Sequence, residues 1–99
     1  MSTANLATTY QLYVGVDISA ATFTVARMRP DAKPNKALDY QQTHPSFSKF
    51  QQDLLPTDLA ACQILIVMEA TGTYWISLAL FLVQAGFAVA VINPMQAHN

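Results

Sequence analysis

Two acidic residues each follow a short apolar stretch of this chain, and both are candidates for metal-dependent chemistry. Glu69 is the only glutamate in the chain and comes directly after the apolar run Ile64–Met68. Asp17 lies near the end of a second stretch, Leu12–Ser19. A carboxylate at the end of a buried strand is costly unless a partner compensates its charge. We therefore expect each acid to have a partner, and a divalent cation is one that both could share.

The first half of the chain has the pattern of three strands. Residues Leu12–Ser19 alternate between apolar and other side chains, which predicts a strand with Asp17 and Gly15 on one face. After a short turn, Thr22–Met28 is rich in β-branched residues and predicts an antiparallel strand beside the first. A polar loop marked by prolines follows, and Ala37–Thr43 predicts a third strand at the edge.

A helix and a buried strand are predicted next. The helix begins at Pro45-Ser46 and ends at Pro56, because apolar residues recur there at helical spacing and proline is favoured at a helix start. The run Ile64–Met68 is short and apolar throughout. It predicts a strand covered on both faces, as in a parallel sheet flanked by helices.

A second helix and a last strand complete the pattern. Thr71 or Thr73 is positioned to cap a helix that runs to about Gln84 and stops at Gly86, a residue favoured just past a helix end. We expect this helix to be fully buried, because it is apolar all round. Phe87–Ile92 then predicts a strand.

The predicted order β-β-β-α-β-α-β is that of an α/β fold with a mixed five-stranded sheet, the ribonuclease-H-like (RuvC-like) arrangement. That arrangement places the first strand beside the fourth. Because neighbouring strands lie about 4.8 Å apart, Asp17 and Glu69 at their adjoining ends could both reach one ion. Two adjacent carboxylates repel each other, and Mg²⁺ relieves that repulsion while keeping positions for water and phosphate.

Composition excludes several classes of protein. A net charge of −1 argues against a free-standing nucleic-acid binder with a basic face. The single cysteine excludes an internal disulfide. Residues 1–11 have no apolar core like that of a signal peptide and predict a disordered leader.

The charge-free span Tyr74–Ile92 is long enough to cross a membrane, but Gly86 interrupts it and no basic residue flanks it, so we expect no membrane association.

Three segments resemble the RuvC-like N-terminal domain of the DEDD-type insertion-sequence transposases, which are related to the Piv-type DNA invertases. They are Val14-Gly-Val-Asp-Ile-Ser-Ala-Ala-Thr-Phe-Thr-Val25, Val67-Met-Glu-Ala-Thr-Gly-Thr-Tyr-Trp75 and Ala85-Gly-Phe-Ala-Val-Ala-Val-Ile-Asn-Pro94. The Glu-Ala-Thr-Gly-x-Tyr string and the Gly-x-Asn-Pro spacing are the specific parts. The resemblance covers nearly all of residues 12–99, which we expect to form part of one catalytic domain.

The resemblance implies a metal-dependent recombinase that cleaves and transfers DNA strands, with Mg²⁺ or Mn²⁺ as cofactor. Asp17 would be the first acid of the DEDD tetrad and Glu69 the second. The family's other two aspartates and its serine nucleophile lie beyond Asn99, so we expect this chain to be truncated and inactive alone. The resemblance also implies a cytoplasmic homo-oligomer that acts on DNA with a structured guide RNA.

Other residues are candidates for nucleic-acid contacts. Thr71 and Gly72 lie in the turn after Glu69, where they would shape the approach of a phosphate. Four of the five basic residues fall in one hairpin region, and a solvated loop is the alternative interpretation for them: Arg27, Arg29, Lys33 and Lys36. The sequence departs from the family at Ala20, where a basic residue is common.

Two further functions remain open from the sequence. The first is an ATP-dependent phosphotransferase of the sugar-kinase or actin type, whose fold also begins with a Gly-x-Asp strand. That class uses glycines in the following turn, which here reads Ser19-Ala20-Ala21. The second is a non-catalytic interaction module. An incomplete fold should expose an apolar sheet face, which predicts self-association.

Overall fold

The computed structural model describes residues 10–55, 58–70 and 72–93. Its elements follow the order β-β-β-α-β-α-β, as the sequence predicts, with a short 3₁₀ helix before the fourth strand. Most of the predicted leader, residues 1–9, and the predicted helix end at Pro56 lie outside the described residues. The elements are β1 (Leu12–Ile18), β2 (Thr22–Met28), β3 (Leu38–Gln41), α1 (His44–Leu54), the 3₁₀ helix (Ala61–Gln63), β4 (Ile64–Glu69), α2 (Ile76–Gln84) and β5 (Ala88–Ile92).

The strands form one five-stranded mixed sheet in the order β3-β2-β1-β4-β5. β2 is antiparallel to both β1 and β3, whereas β4 is parallel to β1 and to β5. The crossover through α2 joins the two parallel strands β4 and β5. An antiparallel meander followed by parallel strands, with the first strand beside the fourth, is the ribonuclease-H-like arrangement, and the fold prediction is confirmed.

The core lies between the sheet and the two helices. From the sheet it includes Val14 and Val16 of β1 and Ile66 and Met68 of β4, all of them buried. From α1 it includes three buried residues at helical spacing, Phe47, Phe50 and Leu54. Burial of each large side chain contributes about 1.5–3 kcal/mol, so this layer stabilises the paired strands β1 and β4.

β4 is covered on one face only by the described residues, so the prediction of two covered faces is wrong. Ile64, Ile66 and Met68 are buried, but the alternate residues Leu65 and Val67 are only half-buried. A continuous apolar run shows that both faces of a strand are apolar. It does not show whether other residues pack against both of those faces. We call the opposite side of the sheet, which carries Leu65 and Val67, the open face.

The second helix also differs from its prediction. It begins at Ile76, after a turn over residues 72–75, and no side chain caps its N-terminus. Thr73 is therefore not a capping residue, and Thr71 lies outside the described part of the chain. The turn is stabilised by the indole Nε1 of Trp75, which donates to the Gly72 carbonyl at 3.1 Å. Because of this hydrogen bond and the positive φ of Gly72, 58°, the helix begins about one turn later in the sequence than predicted.

The end of α2 agrees with the prediction. The helix stops at Gln84, and Gly86 has a φ of 97°. Within the described ranges, no helix is both long and apolar enough to span a membrane. The span Tyr74–Ile92 divides into a helix of nine residues and a strand of five.

Candidate metal centre

Asp17 and Glu69 lie side by side at the carboxyl ends of β1 and β4. The parallel register pairs Val16 with Met68, and one step further along both strands brings Asp17 opposite Glu69. The side chains of Val16 and Met68 enter the core, so those of the two acids point to the open face. Both acids line one cleft of about 500 Å³ on that face. Its other lining residues are Gly15, Val16, Thr24, Ala26, Val67, Met68 and Ile92.

Part of the floor of this cleft is made of two small residues, Gly15 and Ala26. Gly15 pairs with Ala26 on one side and with Val67 on the other, and Val67 pairs with Ala90 of β5. A Cβ added at Gly15 would meet nothing within 4 Å, so the space in front of its backbone is open. The row of short side chains therefore leaves room for a ligand directly beside Asp17.

The two carboxylates have no neutralising partner among the residues that the structure describes. Both side chains are exposed, and the ion pairs in that part of the chain join Arg29 to Asp58 and Lys49 to Asp53. Because like charges on neighbouring strand ends repel each other, a cation between them would lower the energy of the site. The described residues contain no cluster of three or more histidine, cysteine or acidic side chains.

The loops around the acids are tied together by Gln42, a residue that the sequence interpretation missed. Its side-chain Nε2 donates to the Ser19 carbonyl at 3.1 Å and to the Tyr74 carbonyl at 2.9 Å. Ser19 belongs to the turn after Asp17, and Tyr74 belongs to the turn after Glu69. The amide thus fixes the two turns relative to each other. A glutamine directly after a strand gives no local signal that its side chain bridges two distant turns.

Ser19 serves the turn between β1 and β2. Its hydroxyl donates to the Thr22 carbonyl at 3.0 Å, and its backbone N–H donates to the same oxygen at 2.9 Å. These bonds hold the chain reversal that brings Thr24 of β2 opposite Asp17. The contacts are those of a turn residue, as the sequence interpretation has it.

The basic hairpin residues lie at the other end of the sheet from the acids. Arg27 pairs with Val14, whereas Asp17 pairs with Thr24. Arg27 also donates from Nη1 to the Asp53 carbonyl at 3.2 Å, and Arg29 is 3.5 Å from Asp58. The loop with Lys33 and Lys36 follows β2 at the same distant end, and both lysines are exposed.

Of the two candidates in the turn after Glu69, only Gly72 is described. It is exposed, and its carbonyl accepts the Trp75 indole hydrogen bond. Thr71 lies in the gap between the described ranges. The structure therefore brings Asp17, Glu69 and Gly72 to one edge of the sheet, and it does not bring the four basic residues there.

Comparison with proteins of known structure finds similarity at low sequence identity, and no curated protein matches the chain. Among solved structures the chain is similar to RuvC of Thermus thermophilus, with 14% identity and a TM-score of 0.49, over 86% of this chain and 65% of that one. It is also similar to an Aquifex aeolicus member of the Ppx/GppA family, with 13% identity and a TM-score of 0.44, over 87% of this chain and 36% of that one. The chain thus spans less than two thirds of either protein.

The family model of the DEDD-type transposases of the IS110 group, described as "Transposase", matches residues 14–99. This range holds both Asp17 and Glu69 and leaves out only the first 13 of the 99 residues. It favours the recombinase over the phosphotransferase, whose glycine-containing turn is absent at Ser19-Ala20-Ala21. The chain therefore belongs to the DEDD-type transposase family.

Proposed function

We propose that this chain is part of the catalytic domain of a DNA transposase and that Asp17 and Glu69 together bind a divalent cation, Mg²⁺ or Mn²⁺. The observation that carries the proposal is their shared position at adjoining strand ends, on one face and in one cleft. Membership of the transposase family supports cleavage and transfer of DNA strands as the reaction.

The donor set fits such an ion. Carboxylate oxygens are the ligands that Mg²⁺ prefers, and Mg²⁺ is commonly held by one or two carboxylates together with waters and substrate phosphate. Asp17 and Glu69 provide two carboxylates in an open cleft, and no described cation competes for them. A site with two protein ligands binds weakly, so we expect the affinity to rise when further acids and the phosphate are present.

The chain's own residues would bind and orient the reactants. When bound, the ion would supply a Lewis acid that polarises a phosphodiester and lowers the pKa of a water. Asp17 and Glu69 would hold it at the strand ends, and the open space over Gly15 would admit a phosphate beside it. Gln42 would keep the two flanking turns in register, so that the carboxylates stay close together.

Contacts with nucleic acid form a second part of the proposal. Lys33 and Lys36 are exposed and have no ion-pair partner among the described residues, so they are free to bind a DNA backbone in a salt-sensitive way. Arg27 and Arg29 are engaged with Asp53 and Asp58 and would contribute less. The structured guide RNA, the homo-oligomer and the cytoplasmic location stay predictions from the family resemblance.

The test replaces each acid with its uncharged isostere. We expect Asp17→Asn and Glu69→Gln each to weaken Mn²⁺ binding by about tenfold or more, since each variant removes a charged ligand. Paramagnetic broadening of the amide signals of residues near the cleft measures that binding in the 99-residue chain. In the full-length enzyme, we expect each variant to reduce DNA strand transfer by about 100-fold or more.

Asp31→Asn is the matched control, because it removes the same charge from the loop at the far end of the sheet. It should leave both Mn²⁺ binding and strand transfer unchanged. Normal strand transfer by either acid variant would contradict the proposal. Equal weakening of Mn²⁺ binding by all three variants would indicate a general charge effect and would also contradict it.

A further inference from the structure

A second cavity lies beside the turns that follow the two acids, and we call it the edge cavity. It has a volume of about 300 Å³, and none of the described residues lines both this cavity and the cleft with the acids. Ala20, in the turn after Asp17, and Thr73, in the turn after Glu69, both line it. Gln42 lines it as well, and its side-chain amide is the group that joins those two turns. A DNA strand with a phosphate at the two acids would therefore pass beside the edge cavity.

Part of the lining of the edge cavity is aromatic and is held in place by the core. This part consists of His44 and Phe47. The His44 ring lies 5.6 Å from the Phe47 ring and 6.0 Å from the Phe81 ring, measured between centroids. Phe47 is buried, whereas His44 is exposed. The imidazole is therefore supported from the protein side and keeps surface that a ligand can reach.

The polar part of the lining is uncharged and can form hydrogen bonds. Thr73 and Ser77 contribute hydroxyl groups, each of which can both donate and accept. Within the described ranges, neither hydroxyl has a hydrogen-bond partner. No Lys, Arg, Asp or Glu is among the residues that line the cavity. A flat, neutral ligand with donors and acceptors along its edge matches this lining, and a nucleobase has these properties.

The size of the edge cavity restricts the form of DNA that it can take. Pockets for small molecules measure about 300–1,000 Å³, so a cavity of about 300 Å³ suits a single base. In a duplex, the neighbouring base pairs cover both faces of each base. Only a base that has left the stack can place a face against His44, as in enzymes that extrude a base into a pocket.

We propose that the edge cavity binds one unpaired nucleobase of the DNA strand that is cut, with a face of the base on the His44 imidazole and its edge at the Thr73 and Ser77 hydroxyls. The identity of the strand rests on the proposed function, because the edge cavity adjoins the turns that carry Asp17 and Glu69. The domain would thus select DNA that is unpaired next to the cleaved bond. Binding of the base itself requires neither a metal ion nor a basic residue, so it can be measured separately.

The test uses deoxynucleosides, which carry a base and no phosphate. The isotope-labelled 99-residue chain is titrated with each common deoxynucleoside in the absence of divalent cations, and its amide signals are followed by nuclear magnetic resonance. At least one deoxynucleoside should cause saturable shifts at the Ser77 backbone amide and the Gln42 side-chain amide. His44→Ala should weaken this binding by about fivefold or more, because it removes the stacking surface. His44→Phe keeps a flat aromatic ring and should bind within about twofold of the unchanged chain.

Ser77→Leu tests the cavity with a matched control. The larger apolar side chain would occupy the cavity and remove a hydroxyl, so deoxynucleoside binding should be lost. Ser77 lies on the outer side of α2, where Leu80 and Val83 are also exposed, so the fold should be kept. Ser48→Leu makes the same substitution at an exposed position of α1 that does not line the cavity, and it should bind as the unchanged chain does.

Several outcomes would overturn the inference. The first is the absence of saturable shifts with every deoxynucleoside, and the second is equal binding by the chain and its His44→Ala variant. The third is an equal response to deoxyribose or to inorganic phosphate, which would indicate a sugar site or an anion site. A chain that binds Mn²⁺ in the cleft but no deoxynucleoside would overturn this inference alone. A chain that binds a deoxynucleoside but no Mn²⁺ would support this inference and contradict the proposed metal site.

Discussion

The roles of some residues in this protein can be inferred from their own side-chain chemistry, and the roles of others depend on the residues around them. Asp17 and Glu69 are acids at the ends of apolar strands, and their residue types alone suggest a shared cation. Tyr40 has a role that depends on its neighbours. Its ring stacks on that of Phe23, and its hydroxyl donates to Asp53 Oδ2 at 2.7 Å. Burial, followed by the hydrogen bond and the negative charge of Asp53, raises the pKa of Tyr40 to about 12.

This shift makes the stability of the protein dependent on pH in the alkaline range. The pKa of Tyr40 is raised from 10.0 on folding, so its contribution is fully present below about pH 10 and is lost as the pH rises towards about 12. In that window the unfolded state releases the proton first, and the free energy of unfolding should fall by about 1.4 kcal/mol per pH unit. Urea unfolding at several alkaline pH values measures this slope.

Tyr40→Phe should reduce the slope and should also cost about 1 kcal/mol at neutral pH, the net value of the lost hydrogen bond. Tyr74→Phe is the matched control, because Tyr74 is exposed and its hydroxyl has no hydrogen bond among the described residues. It should keep the slope of the unchanged chain. If both variants gave the same slope, the assignment to Tyr40 would be wrong.

The elements form where their sequence patterns predict them, and their ends depend on a few specific contacts. α1 begins where the Thr43 hydroxyl accepts from the Ser46 N–H at 3.3 Å. α2 begins later than predicted because the turn at Gly72 and Trp75 precedes it. Its C-terminus is predicted well, since Gly86 at a φ of 97° is a strong local signal. A helix end is therefore predictable where the chain needs a positive φ, because glycine is the residue type that adopts this conformation without strain.

Gly86→Ala tests this explanation of the end of α2. We expect a loss of about 1–2 kcal/mol in the free energy of unfolding, because an L-residue is strained at this φ. Contact does not account for the loss, since the new Cβ would lie 3.6 Å from that of Ala61, an ordinary distance. Chemical denaturation measures the change.

Gly15→Ala is the companion variant for stability. Gly15 lies in an extended strand, and its added Cβ would meet nothing within 4 Å. We expect its stability to be unchanged or raised by up to about 1 kcal/mol, because alanine costs less backbone entropy in a strand interior. Equal losses for the two variants would show that backbone strain is not what distinguishes Gly86.

At the scale of the whole molecule, the described residues form one packed layer and leave the other face of the sheet open. On the packed side, Phe50 is fully buried and lies 5.3 Å from the Phe23 ring and 5.1 Å from the Tyr40 ring, measured between centroids. It joins α1 to β2 and β3. Phe47 of α1 in turn contacts Phe81 of α2, with 5.6 Å between the ring centroids. The fold therefore depends on a core that both helices share.

Phe50→Ala should cost about 3–5 kcal/mol, the usual loss for a buried phenylalanine, out of a total stability of about 5–15 kcal/mol. Phe50→Leu leaves less empty volume and should cost less. If the core is shared, far-ultraviolet and near-ultraviolet signals should change together during urea unfolding of both variants. Loss of the α1 signal alone, with the rest of the sheet still folded, would show that the two halves are independent.

The sequence by itself determined the type and order of the elements, the face shared by Asp17 and Gly15, and the family. These depend on local patterns, because side-chain direction in a strand has a period of two and family motifs are contiguous. Only the tertiary structure decided which faces are covered. It left Leu65 and Val67 on an open face, exposed the outer side of α2, and joined two distant turns through Gln42. Each of these depends on contacts between residues far apart in the chain, and an apolar residue gives the same local signal whether or not another layer covers it.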